Sequence, residues 1–80
     1  MAMPSIEHAE RVIDEVFRGR ERVGKQEIFQ KAAEASIAPD VMYYFRHLPE
    51  KEYTKRELVE TINRMIRERG RQEEVGLLKV

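Results

Sequence analysis

The side chains that could do chemistry are few and scattered along this 80-residue chain. His8 is flanked by Glu7 and Glu10, and His47 stands alone before Leu48 and Pro49. Neither has a second histidine three or four residues away, and neither belongs to the HExxH pattern that puts two imidazoles on one helix face to hold zinc. His47 with Glu50 makes at most an adventitious metal pair, and a protonated His47 would suit the negative end of a helix. The hydroxyls are Ser5, Ser36, Thr54 and Thr61. None lies in a GxSxG elbow, the strained turn that lifts a nucleophilic serine out of its neighbours. Gly19, Gly24, Gly70 and Gly76 are too dispersed to form a phosphate cradle. Asp14-Glu15 and Glu73-Glu74 are adjacent pairs, so on a helix their carboxylates diverge and cannot share an apolar pocket as an acid/base couple. With no cysteine, thiol catalysis, thiolate zinc sites and disulfides are excluded. These residues predict a protein that is not an enzyme, with no catalytic residue, no cofactor, no metal and no small-molecule substrate.

The elements that carry these residues read as helices. Ser5 follows Pro4 and has the side chain of a helix N-cap. Ile6, Ala9, Ile13, Val16 and Phe17 then recur at helical spacing, and Gly19 is a stop. After the charged linker 20–23, a second helix is expected from Gly24. There Glu27 could reach back to free N–H groups, and Val23 and Ile28 stand at the positions of a hydrophobic staple. Ile28, Ala32 and Ala35, with Phe29 beside them, form its apolar face. A third helix opens at Pro39, whose missing N–H costs nothing at a first helical position, with Asp40 in the positive first turn. Val41, Tyr44, Phe45 and Leu48 make its buried stripe, and Pro49 is its stop. A fourth helix starts with the capping box Thr54-Lys55-Arg56-Glu57, and Tyr53 and Leu58 are placed to staple it. Leu58, Val59, Ile62, Met65 and Ile66 sustain the helical period up to Gly70. The stretch 71–80 is ambiguous: Val75, Leu77, Leu78 and Val80 could dock on the core, form a short strand or fray. No strand pair is evident. The expected fold is therefore all-α, a compact four-helix domain spanning residues 1–80, with flexible ends at 1–4 and 71–80 and with the first helix lying across the other three.

The segment 24–63 resembles an uncharacterised bacterial family of small helical domains of unknown function. The resemblance is carried by Glu27-Ile28-Phe29-Gln30-Lys31-Ala32, by Ala38-Pro39-Asp40-Val41, and by the Leu-Pro-x-x-x-Tyr turn Leu48-Pro49-Glu50-Lys51-Glu52-Tyr53. It covers about half the chain. Tyr43, Tyr44 and Phe45 are bulkier than that family's pattern. It implies a helical fold and no particular activity. The turn is also accounted for by its own residues: Leu48 buries the end of one helix, Pro49 stops it, and Tyr53 returns to the core.

Composition narrows the choice of partner. Hydrophobic residues make up 41% and charged residues 38%, enough apolar surface for a core with solvated outer faces. There is no signal-peptide core and no apolar run of membrane length, so the expectation is a cytoplasmic, bacterial protein with no membrane partner. Formal net charge is zero, against the usual basic balance of a nucleic-acid binder. Residues 54–71 nevertheless hold six Lys/Arg against three Glu. Arg56, Arg64, Arg67 and Arg71, if the helix reaches it, would form a basic stripe suited to phosphates. Within that stripe Glu60–Arg64 and Arg64–Glu68 have ion-pair spacing. A helix-turn-helix is a second nucleic-acid candidate, because Ala32, Ile37, Met42 and Phe45 fall near its packing positions. Its reading residues would be Pro39, Asp40 and Tyr43, poor in donors and repelling phosphate, and Lys31 sits where such a motif packs. On the third helix Met42, Tyr43 and Arg46 point sideways or outward and are residue types enriched at protein interfaces. The favoured expectation is a non-catalytic binding or adaptor domain whose partner is a protein or a second copy. Nucleic-acid binding is the alternative.

Overall fold

The computed structural model describes residues 4–71, 73 and 76–78. It contains helices α1 (Pro4–Val16), α2 (Lys25–Glu34), α3 (Pro39–Arg46) and α4 (Lys55–Glu68). The four expected helices are present, but the fold is not purely helical. Two short strands, β1 (Val23–Gly24) and β2 (Glu52–Tyr53), pair antiparallel, with Val23 opposite Tyr53 and Gly24 opposite Glu52. The Lys25 N–H extends the ladder to the Lys51 carbonyl at 3.1 Å. The pair forms where the entries to α2 and α4 run side by side, and it binds backbone groups that two connections inside a small fold would otherwise leave open.

The buried apolar side chains form one cluster, drawn from every helix, both strands and Leu78. The predicted stripes are inside: Ile6, Ala9, Ile13, Val16 and Phe17 of the first helix, Val41, Tyr44 and Phe45 of α3 with Leu48 beyond it, and Leu58, Val59, Ile62 and Ile66 of α4. The radius of gyration, 11.4 Å, is about what a compact chain of this length takes. The first helix packs chiefly on α2 and then on α3, and Asp14 pairs with Lys55 in the first turn of α4.

The helix ends depart from the sequence reading in several places. Ser5 lies inside α1, not ahead of it, because the helix opens at Pro4. Gly24 is the N-cap of α2 as expected, but no side chain caps it. Glu27 turns instead to Arg20, an ion partner in the preceding linker. Helix α3 closes at its C-cap His47, before Pro49 is reached. Both α2 and α4 end in the two-bond closure that uses a left-handed residue. At α4 the Gly70 N–H bonds the Arg67 carbonyl (2.9 Å) and the Arg71 N–H bonds the Ile66 carbonyl (3.0 Å), with Gly70 at φ 67°. At α2 the same places are taken by Ser36 and Ile37, bonded to Ala33 and Ala32, with Ser36 at φ 57°. Arg71 therefore lies past the helix and does not extend the basic stripe along it.

Candidate protein-contact surface

The start of α4 fixes the register of everything it displays. The Thr54 hydroxyl accepts the Glu57 N–H at 3.1 Å, and the Glu57 carboxylate accepts the Thr54 N–H at 3.0 Å. This reciprocal capping box satisfies two donors the helix would otherwise leave open. The Thr54 backbone hydrogen bond, helped by Lys51 and Arg22, holds the Glu57 carboxyl below the usual carboxylate range, against a smaller opposing effect of desolvation. Ahead of the box, Tyr53 is buried and donates its hydroxyl to the Pro49 carbonyl at 2.6 Å, closing the Leu-Pro turn. Burial, then the nearby charges of Glu50 and Glu57, raise its phenol pKa.

With α4 so placed, its last turn meets the outward side of α3. The Arg69 guanidinium lies over the Tyr43 ring, 4.0 Å from its centroid, and 5.7 Å from that of Tyr44. His47, one turn after Tyr43, brings its ring to 4.2 Å, and Tyr44 meets Tyr43 edge-on at 5.3 Å. Tyr43 is thus held on three sides, yet 39% of it remains exposed, and it is one of two large hydrophobic residues so exposed among the described residues. Beside it Tyr43, His47, Met65, Glu68 and Arg69 line an open hollow of about 220 Å³. Such a space takes one side chain and is below the roughly 300–1,000 Å³ of ordinary ligand pockets.

Of the other predicted contact residues, Arg46 is exposed on α3, while Met42 is half-buried and packs against the core. Sequence reasoning missed Arg69 and His47 as companions of Tyr43. The i, i+4 spacing of Tyr43 and His47 was a usable signal. Arg69 had none, because its position depends on how α3 and α4 meet.

Arg56, Arg64 and Arg67 are exposed along α4. The ion pairs expected of Arg64 with Glu60 and Glu68 are not formed, and none of these three arginines makes an ion pair among the described residues. Arg71 is exposed as well. Asp40 and Pro39 are exposed at the start of α3, as a helix-turn-helix reading would require.

Among the described residues no three His, Asp or Glu side chains gather where they could hold a metal ion. No described helix is long and apolar enough to cross a membrane. No protein-family model, curated protein or solved structure matches this chain.

Proposed function

We propose that this chain is a non-catalytic binding or adaptor domain, acting by contact with a protein partner or a second copy of itself through the outward side of α3. The carrying observation is Tyr43, exposed but held by Arg69, His47 and Tyr44. A large aromatic ring whose orientation is already fixed loses little conformational entropy on binding, and tyrosine and arginine dominate interface energetics. Arg46 supplies a charged contact next to it, Met42 a polarizable margin, and the hollow beside Tyr43 a seat for one partner side chain. The absence of cysteine from the sequence fits a reducing compartment such as the cytoplasm. The test is to follow self-association by sedimentation, and capture of partners, for Tyr43→Ala and Arg46→Ala. Loss of contact with the helical signal intact supports the reading; unchanged self-association and unchanged partners would sink it.

A second reading is nucleic-acid binding through Arg56, Arg64 and Arg67, favoured by their exposure and by their lack of ion-pair partners among the described residues. The helix-turn-helix form of it is weaker, since Asp40 heads the helix that would enter the groove. Amide NMR with mixed-sequence DNA and RNA at low salt separates the two. Shifts centred on these arginines that vanish at moderate salt would promote the second reading over the first.

A further inference from the structure

Asn63 is the one buried polar side chain among the described residues, 8% exposed on a helix face otherwise filled by Val59, Ile62 and Ile66. Among the described residues its hydrogen bonds go to a single residue, fifteen positions on. The Asn63 amide nitrogen donates to the Leu78 carbonyl at 2.9 Å, and the Leu78 N–H donates to the Asn63 amide oxygen at 2.8 Å. A carboxamide used in this way imitates the backbone of a neighbouring strand: it reads one residue's N–H and C=O together, whatever its side chain. Selectivity comes from the side chain beneath, since Leu78 is 4% exposed in the core while Leu77 points out, 37% exposed. Gly76, at φ 88°, takes a positive-φ conformation immediately before this dipeptide. Among the described residues these two bonds are the only hydrogen bonds that hold 76–78. An apolar side chain at position 63 would leave the Leu78 N–H and C=O buried without partners, a cost the amide removes for any extended chain laid across this seat. What the amide adds is recognition of an extended chain.

We propose that Asn63 and the apolar seat under Leu78 form a docking site for an extended, leucine-bearing peptide segment, which this chain's own residues 76–78 occupy in cis. The site lies on the opposite flank of α4 from Met65 and Arg69, and the proposal does not rest on the α3 surface. Its own segment is a competitor at the roughly millimolar effective concentration of a short tether, so an incoming peptide must displace it.

The test uses the full chain, isotope-labelled, with Leu78→Asp to vacate the seat. The probe is a blocked synthetic peptide of residues 72–80. Saturable shifts of the Asn63 side-chain amide are expected, with at least ten times more peptide needed for the same shift in the unaltered chain. A peptide carrying aspartate at its second leucine should give none. A folded Leu78→Asp chain that ignores the peptide, or equal binding by both chains, overturns the proposal. If Leu78→Asp loses its helical signal, hydrogen exchange of the unaltered chain decides. The Leu78 amide should exchange faster than those of Ile62 and Ile66, at a rate indifferent to low urea. Exchange of Leu78 only together with them, with the same urea dependence, would make the segment an integral part of the core and end the proposal.

Discussion

Helices α3 and α4 are built alike on the inside and differently on the outside. Each buries one apolar stripe in the common core. On the outward side of α3 the rings and cations hold one another: Tyr43 with His47, Tyr44 and Arg69. On the outward side of α4, Arg56, Arg64 and Arg67 reach into solvent without ion-pair partners among the described residues. The first surface is preorganised and suits a shaped partner. The second is a field of charge without fixed geometry and suits only a polyanion, at low salt. The largest expected effect follows from that difference. Tyr43→Ala should weaken whatever contact α3 makes by about 2 kcal/mol, roughly thirtyfold in affinity. Measured alongside, Arg64→Ala should leave the same contact unchanged. Equal losses from both variants would erase the distinction.

The two helices also begin differently. Helix α4 has a reciprocal capping box, whereas the N-cap of α3 is Ala38, which offers no side-chain hydrogen bond. Thr54→Ala should lower unfolding stability by about 1 kcal/mol, and Ala38→Ser should raise it by about 0.5–1 kcal/mol, both read by urea denaturation. Acid sharpens this comparison. The folded chain holds the Glu57 carboxyl below its ordinary range through the Thr54 hydrogen bond. Its contribution is therefore present above the carboxylate range of the unfolded chain and is lost as pH falls through the lower, folded value. Glu57→Gln can keep the box but cannot titrate. The stability gap between the two proteins should close as the pH is taken down through the acid range, and a constant gap would mean that the charge is not used.

Arg69 links the two outward sides, and its coupling to Tyr43 measures how far α3 is held. A double-mutant cycle between Tyr43→Ala and Arg69→Leu should give an interaction of about 0.5–1 kcal/mol in folding stability. Additive losses would mean that the stacked geometry contributes nothing and that Tyr43 is not preorganised.

The legible parts of this fold were those dictated by neighbours in sequence. The stripes of the first helix and α4, Pro39 at the start of α3, the box at Thr54 and the stop at Gly70 each follow from residues a few positions apart, and each stands in the structure. The turn through Leu48, Pro49 and Tyr53 is likewise architectural, sealed by the Tyr53 hydroxyl. What escaped was made by distance. The β1–β2 pair is two residues long on each side and has no alternation to read; it arises because two helix entries lie together. Ser36 takes a left-handed conformation more usual for glycine, so the end of α2 carried no glycine signal. Asn63 did carry one. It follows Val59 by four and precedes Ile66 by three, which puts a polar group on a buried face, and that mismatch calls for a partner. Leu78 was one of four apolar candidates in the following stretch; Leu77 proves exposed, and Val75 and Val80 lie outside the described residues.

The smallest effects belong to the outward side of α4. Since Arg64 and Arg67 are exposed and form no ion pair among the described residues, Arg64→Ala and Arg67→Ala should each change folding stability by less than about 0.5 kcal/mol. That near-silence makes them clean probes of the nucleic-acid reading. If DNA or RNA binds here, each substitution should reduce the salt dependence of binding by roughly one phosphate contact, about 0.9 in the slope of log affinity against log salt. Such a change would come without the folding losses that complicate any variant of the core. If affinity is weak and both slopes stay put, the arginines serve solubility alone. The functional contrast between the two helices then rests wholly on the ring that α3 holds out to solvent.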